Sequence, residues 1–314
     1  MTDLRRRTLL ASAAILAAPP PLRAETVLRI GDQRGNQRAV MEAADVLRDV
    51  PYKIVWSEFP AAAPLIEALN AGAIDAGVVG DAPFTFGLAS GVAMKAIAVR
   101  RSTQEGLAIL VNGNSPAHTL QDLRGKRVAT GRGSIGHFLV LAALRQGGMP
   151  DDAVQWTFLS PADARAALIA GSIDAWSTWE PYTSQLEVIN GARQILNGNG
   201  IVPGQGFQIA STAAIAEKRE ALADFITRIA RARRWANAHR ESYAETWAKL
   251  MSFPVSVPQH WFARTREDVV EIDERAVADE QRVIDIYSDA GLLRSRVSAA
   301  DAFDPSFNRA VQRA

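Results

Sequence analysis

The chain has 314 residues, 48% of them hydrophobic and 22% charged, with 35 basic and 34 acidic side chains and no cysteine. That is apolar material enough for two cored domains and a charge balance too even for a nucleic-acid surface, and it excludes disulfides and thiolate chemistry. Arg5, Arg6, Arg7 and Arg23 against Asp3 fall in the first 24 residues, so the remainder is near neutral and any attraction for a charged ligand must be local.

Residues 1–24 read as a secretory signal: an arginine-rich start, an apolar stretch over 9–18 too short to span a bilayer, a proline run, and the small Ala24. Arg6-Arg7-Thr8-Leu9-Leu10 fits a twin-arginine export signal and equally a basic general-secretion one. A periplasmic protein without a lipid anchor is expected. Residues 26–30 then predict a strand, 37–49 a helix, and 52–59 a strand in which Ile54, Trp56 and Glu58 alternate with Lys53, Val55 and Ser57. A helix over 62–70, a strand over 76–79 and a helix opened by Pro83 follow, then strands over 94–99 and 107–111, the second a crossing strand. The polar cluster Asn112 to Pro116 is a turn and marks the first crossover.

Strands over 127–129, 154–158 and 175–178 alternate with helices after Ser134, over 162–170 and over 181–190. Asn197-Gly198-Asn199-Gly200 is a loop, and 208–211 a strand returning to the first lobe. From Ala214 the pattern is helical, with Phe225, Ile229, Trp235 and Trp247 as core contacts, breaks at Pro254 and Pro258, and a frayed tail after Ser306.

One unit occurs twice. Leu69-Asn70-Ala71-Gly72-Ala73-Ile74-Asp75-Ala76 returns ninety-nine residues later as Leu168-Ile169-Ala170-Gly171-Ser172-Ile173-Asp174-Ala175, and at that offset Gly80-Asp81-Ala82-Pro83 matches Trp179-Glu180-Pro181. Ile30-Gly31-Asp32-Gln33-Arg34-Gly35-Asn36 parallels Val128-Ala129-Thr130-Gly131-Arg132-Gly133-Ser134 at ninety-eight. Each copy is strand, turn, helix, strand, the grammar of a parallel α/β sheet, so two lobes face each other across a cleft. Four loops leave strand carboxyl ends and enter helix N-termini, where unpaired N–H groups favour anions.

Nothing reads as catalytic apparatus: His118, His137, His239 and His260 are far apart, and no metal-ligand or phosphate-loop pattern occurs. Asp75 and Asp174 belong to a shared turn or helix-sheet contact. Gly133-Ser134 offers a hydroxyl and backbone N–H groups to an oxyanion, and Gly35-Asn36 a similar cap in the other lobe, with Arg34 and Arg132 beside them as ligand contacts or solvent-facing turn residues. Trp176 and Trp179 are either cleft walls for an organic tail or core; Asp81, ahead of Ala82 and Pro83, and Glu180 either accept from a ligand amine or cap their helices.

At these residues the sequence resembles the periplasmic substrate-binding proteins of ABC importers, specifically those for aliphatic sulfonates, with taurine and nitrate binders as relatives. The resemblance runs over nearly all of the chain after the signal. It rests on Arg29-Ile30-Gly31 with the Gln33-Arg34-Gly35 turn, Glu58-Phe59-Pro60-Ala61, Leu65 through Asp75, Gly80-Asp81-Ala82-Pro83, Asp122 through Ala129, Gly133-Ser134 with His137, Pro161 through Ala167, and Asp174-Ala175-Trp176 with Trp179-Glu180-Pro181-Tyr182. What it implies is an α/β fold of the two-lobed periplasmic-binding type (type II-like), each lobe a mainly parallel sheet flanked by helices with a helical C-terminal region. Lobe I would be 25–112 with 208–314, and lobe II 113–207. The implied protein is a monomer without metal or cofactor that closes on a small organic anion and passes it to a membrane permease. The implied ligand residues are Gln33, Arg34, Gly35, Asn36, Asp81, Ala82, Pro83, Arg132, Gly133, Ser134, His137, Trp176, Trp179 and Glu180.

The chain departs from this pattern where Ser134-Ile135-Gly136 replaces a serine run and Arg100-Arg101-Ser102 replaces a Glu-Pro-Pro segment. Two hydroxyls are lost and two positive charges gained, so a carboxylate, a sulfate ester or an aromatic acid also suits the pocket. Two other readings stand beside it: an enzyme of the same fold resembling the pyrimidine-precursor synthases of thiamine biosynthesis, and a periplasmic ligand sensor.

Overall fold

A computed structural model describes residues 26–314; the expected signal segment lies outside the described residues. Strands β1 (Val27–Gln33), β2 (Lys53–Phe59), β3 (Ala76–Gly80) and β4 (Met94–Ser102) alternate with helices α1 (Gln37–Ala43), α2 (Ala62–Asn70) and α3 (Asp81–Ala89). There follow β5 (Ala108–Val111), β6 (Arg127–Thr130), α4 (Ile135–Gln146), β7 (Gln155–Phe158), α5 (Pro161–Ile169), β8 (Ala175–Thr178), α6 (Tyr182–Asn190), β9 (Arg193–Asn197) and β10 (Gln205–Ser211). The rest is α7 (Thr212–Glu217), α8 (Arg219–Ala238), α9 (Arg240–Met251), α10 (Ser256–Arg264), the short strand β11 (Glu267–Val270), α11 (Glu274–Asp289) and α12 (Asn308–Gln312).

The strands form two sheets, ordered β11-β4-β10-β3-β1-β2 and β7-β6-β8-β5-β9. Apart from the added edge strand β11, the two orders match position for position, as the sequence duplication requires: β1 and β6 run parallel to both neighbours, while β10 and β5 are antiparallel to theirs. Each antiparallel strand comes from the other side of the chain. Strand β5 follows four first-sheet strands yet joins the second sheet, and β10 follows the second sheet yet joins the first. The sheets therefore change between Ser102 and Ala108, ahead of the expected crossover at 112/113, and change back between Asn197 and Gln205.

Two other expectations differ. Helix α1 ends at Ala43 because Asp45 and Asp49 take positive φ (55° and 53°), which turns the chain out of the helix well before residue 49. The tail is not frayed: α12 buries Ala310 and Val311 in the first core, and Thr227 Oγ1 donates to the Ala310 carbonyl at 2.7 Å. Helix α8 shows why the charged C-terminal region folds onto the sheet. Leu222, Phe225, Ile226, Ile229, Ala230, Arg233 and Ala236 recur at three- and four-residue spacing and are its buried stripe, packed with Leu28, Ile30 and Trp247. The second sheet has its own core, of which Val128, Leu139, Val140 and Leu144 are part. A separate apolar cluster joins α3 and α11 to α4 through Ala82, Phe138, Leu141, Val283 and Tyr287.

The duplicated aspartates fasten each turn to the strand beside it. Asp75 accepts from the Arg29 backbone N–H at 2.7 Å and from Arg29 Nη2 at 2.5 Å, and Arg29 Nη1 donates to the Gly72 carbonyl. Asp174 repeats the arrangement with Arg127 (2.8 Å to the backbone N–H, 3.2 Å to Nη2) and Gly171. The copies differ in burial and partners. Asp75 is 4% exposed and also takes Lys218 Nζ at 2.8 Å, whereas Asp174 is 35% exposed with one cation. Hydrogen bonds to charge are worth more the less water competes. In denaturant unfolding, Asp75→Ala should cost about 3 kcal/mol and Asp174→Ala about 1 kcal/mol; equal losses would show that the extra cation and deeper burial contribute nothing.

Candidate functional site

A cavity of about 350 Å³ lies between the carboxyl ends of the two sheets, within the size range of small-ligand pockets. Six helices begin at its wall, and the chain treats their free amides in two ways. Asp32, at the end of β1, accepts from the Gln37 and Arg38 N–H groups (2.8 and 3.1 Å) and so caps α1. Asp81 accepts from Ala82 N–H at 2.7 Å at the start of α3, and Glu180 from Ser184 N–H at 3.0 Å in α6. Helix α5 is capped by Ser160 and carries Asp163 in its first turn. Those four starts hold a carboxylate of their own. The other two do not: α2 begins after Ala61 with no side-chain cap, and α4 is capped by the neutral Ser134 hydroxyl, which accepts from His137 N–H at 3.2 Å. One belongs to each sheet.

Arg34 and Arg132, on the matched loops after β1 and β6, line the same cavity and have no carboxylate partner within 4 Å among the described residues. The Arg132 guanidinium lies 3.8 Å from the Phe158 ring centre, a stacking that holds the cation at the rim. An unopposed cation, a hydroxyl and uncapped amides make this end of the cavity a receptor for an anion.

Of the residues expected from the sequence, Gln33, Arg34, Asn36, Asp81, Pro83, Arg132, Gly133, Ser134, Trp179 and Glu180 line the cavity. Four do not. Gly35 has φ 75° and gives its carbonyl to Trp247 Nε1 at 2.7 Å; a Cβ there would come within 2.9 Å of the indole, so its part is to let α9 pack against the loop. Ala82 is fully buried in the α3–α4–α11 cluster. Trp176 is 1% exposed, because its place in β8 turns it into a separate apolar cluster of the second sheet with Leu168 and Leu186, with Tyr182 at 5.9 Å. His137 is buried on α4 among Trp156, Phe158 and Tyr287, and its Nδ1 accepts from Gly133 N–H at 3.2 Å. Burial, with Arg132 nearby, lowers its pKa to about 4, so near neutrality it is an uncharged acceptor shaping the Gly133 turn.

Asn36 lines the cavity but does not cap α1, since Asp32 holds that place; its side-chain oxygen accepts instead from Arg233 Nη2. The Gln33 amide donates to the Val78 carbonyl at 2.9 Å. Asp81 is buried, which raises its carboxyl to about 7 despite the Ala82 N–H and Arg100 opposing the shift. Sequence reasoning missed Gln205, Thr265, Glu267 and Trp261, cavity residues from β10, α10 and the segment after it. No repeat or motif surrounds them, and only their place in the fold brings them there.

The rim opposite the α4 cluster is closed by charge. Arg264 of α10, on the first-sheet half, donates through Nη2 to Glu180 Oε1 just ahead of α6 and to Glu187 Oε2 on α6 of the second, both at 2.7 Å. His260 Nε2 lies 3.1 Å from Glu187, and Tyr182 OH donates to the Pro60 carbonyl at 3.2 Å. Burial pushes the Glu180 carboxyl upward, and Arg264 opposes that shift most.

The sequence pattern of the NMT1-like family matches residues 35–252. Over 274 residues, 86% of either chain, the sequence is 33% identical to a putative aliphatic sulfonates-binding protein of Escherichia coli K12. The fold superposes on the alkanesulfonate-binding protein of Xanthomonas axonopodis pv. citri, solved bound to MOPS, with TM-score 0.85 and 32% identity, covering 90% of this chain and 99% of that one. It superposes likewise on the periplasmic aliphatic sulphonate binding protein of Escherichia coli, with TM-score 0.79 and 31% identity, covering 90% and 93%.

Two measurements follow from this geometry. Removing Arg264 leaves Glu180 and Glu187 without their cation, so Arg264→Met should open the rim and raise the radius of gyration in small-angle scattering at neutral pH; an unchanged radius would mean the apolar cluster alone holds the halves together. Between pH 6.5 and about 4 the unfolded chain protonates His137 and the folded chain does not, so acidification through that window withdraws stability. His137→Gln should therefore lose less melting temperature than the parent between those pH values, whatever its starting point, and parallel curves would show that His137 is not held neutral.

Proposed function

The chain belongs to the NMT1-like family, and we propose that it is an extracytoplasmic solute-binding protein that takes an aliphatic sulfonate into the cleft and delivers it to an ABC permease. The observation that carries this reading is the distribution of charge at the helix starts. Four of the six are neutralised from within, and an anion finds free amides at α2 and α4 with Arg34 and Arg132 beside them. A head group held there touches both sheets and so favours the closed form, which is how a binding protein couples capture to shape. Trp179, half-buried on the cleft wall, covers the organic tail.

The same lining supports capture over nucleophilic chemistry: among its described residues it has no histidine, and the sequence has no cysteine, so no imidazole or thiolate stands at the head position. The sulfonate-binding relatives support the choice of head group, and the periplasmic one supports the compartment. We extend that to export through residues 1–24, to action as a monomer and to a membrane permease as the receiving partner.

Calorimetry against alkanesulfonates, sulfate esters, carboxylates and nitrate tests the reading. Sulfonates should bind most tightly, and Arg132→Gln and Arg34→Gln should each weaken them roughly tenfold or more, since a charge-assisted hydrogen bond contributes about 1.5–3 kcal/mol. Tight binding of a neutral or cationic compound with every anion silent would sink it.

A further inference from the structure

The two helix starts left free for an anion share a second feature: each is reached by a tyrosine from the opposite half. Tyr182, the first residue of α6 on the second-sheet half, donates its OH at 3.2 Å to the carbonyl of Pro60, whose peptide runs into Ala61 at the start of α2. Tyr287 of α11, on the first-sheet half, donates at 3.2 Å to the carbonyl of Ser134, the residue that caps α4. The four starts served by a carboxylate have no such contact among the described residues, for Tyr52 donates to Asp224 and the Tyr243 hydroxyl has no partner.

A bond to either carbonyl fixes more than its oxygen. The peptide is planar and trans, so the Pro60 C=O and the Ala61 N–H leave one rigid plane in opposite directions, as do the Ser134 C=O and the Ile135 N–H. Ala61 and Ile135 both line the cavity, half-buried, and each tyrosine therefore sets the plane of the first amide at a free start. Burial pushes both phenols up, with Arg34 opposing the shift at Tyr182, so each keeps its proton and remains a donor. The two differ in setting. Tyr287 is fully buried, its ring 4.7 Å from Phe86 and 5.6 Å from Phe138 in the α3–α4–α11 cluster, which exposes hydrocarbon if it parts. Tyr182 is half-buried on the cavity wall, backed by Trp176 at 5.9 Å and Trp179 at 6.1 Å, on the rim that Arg264 closes by charge.

We propose that Tyr182 and Tyr287 are positioning residues for capture: each half sets the anion-receptive helix start of the other, Tyr287 in advance of the ligand and Tyr182 only as the cleft closes. The inference rests on the sulfonate-binding reading above and specifies how the head site is assembled. The α4 start is held ready by a contact that lasts through opening, whereas the α2 start takes its final direction when the rim shuts. The Tyr182 hydroxyl thus acts on how long a ligand stays rather than on how fast it arrives, and it acts on the head whatever the tail.

The test is calorimetry and stopped-flow kinetics of the mature chain with propanesulfonate and hexanesulfonate. Tyr182→Phe keeps the ring and drops the hydroxyl, and it should weaken both ligands by the same factor, about threefold, the lower end for a neutral hydrogen bond because water competes at the rim. That loss should lie in the dissociation rate, with the association rate and the melting temperature of the unliganded chain unchanged. Tyr287→Phe should weaken both ligands about tenfold, since little water reaches the Ser134 carbonyl to replace the bond, and should lower the unliganded melting temperature as well. If Tyr287→Phe does not fold, Tyr182→Phe decides alone. Parental affinity in either variant, or a Tyr182→Phe loss that lies in the association rate, in the unliganded melting temperature or in one tail only, overturns the inference and leaves sulfonate capture standing. Failure of the parent protein to bind either sulfonate overturns capture itself and the inference with it.

Discussion

A helix that begins at a cleft brings N–H groups that its own turns cannot satisfy, and where their acceptors come from decides what the cleft receives. In this chain the answer is divided. Asp32, Asp81, Asp163 and Glu180 serve four starts from within, and each also repels an incoming anion from that place. Helix α4 has only a hydroxyl and α2 nothing. The division falls across the repeat as well as along it: Asp32 and Thr130 occupy equivalent positions at the carboxyl ends of β1 and β6, so exchange of one carboxylate for a hydroxyl makes one loop self-sufficient and the other receptive. A duplicated scaffold thus yields an asymmetric cleft: the exchange of Asp32 for Thr130 frees α4, and the absence in α2 of the Ser160 and Asp163 of its counterpart α5 frees the other start.

Strand exchange gives that cleft its mechanics. Because β5 and β10 each complete the other half's sheet, the connections at 103–107 and 198–204 are the covalent bridges between them, and neither sheet is complete without both. Around those bridges the halves meet in two chemically different ways. On one side the α3–α4–α11 cluster is apolar, with Tyr287 OH donating to the Ser134 carbonyl at the head of α4; on the other, Arg264 spans to Glu180 and Glu187. Parting the apolar cluster exposes hydrocarbon to water, whereas parting the ion pair lets water solvate its charges, so the second contact is the one suited to break and re-form.

Much of this is legible in the amino-acid order. The eight-residue repeat and the paired Arg-Gly turns imply two parallel α/β halves, and the matched glycines and aspartates sit at matched turns. What escapes is what depends on direction or distance. Trp176 and Trp179 are three residues apart in one motif, yet strand geometry sends the first into the core while the second, past the strand end, reaches the cavity. Asp32 caps α1 from the strand, five and six residues ahead of the amides it serves, outside the usual N-cap spacing that pointed to Asn36. Arg100 and Glu267 are separated by 167 residues and meet only because β11 pairs with β4. The crossover shifts for a related reason: 107–111 is apolar and extended whichever sheet it joins, and only its antiparallel pairing with β8 and β9 assigns it.

The Arg233–Glu267–Arg100 chain is hard to explain as a source of stability. Withdrawing three charged groups from water costs several kcal/mol apiece, and apolar residues of the same volume would fill the space as well or better. What apolar residues lack is direction. Arg233 reaches Asn36 on the loop after β1 and, through Glu267, orients Arg100 on β4, so one buried path connects two loops at the cleft and sets a guanidinium at a defined angle. A flexible, solvated arginine would lose that orientation and the entropy advantage of a group already in place when the ligand arrives. The network therefore acts on the shape of the cleft: desolvation spent in the first half of the protein keeps its wall rigid, and across the cavity the second half presents the Arg132 loop, its guanidinium held against the Phe158 ring.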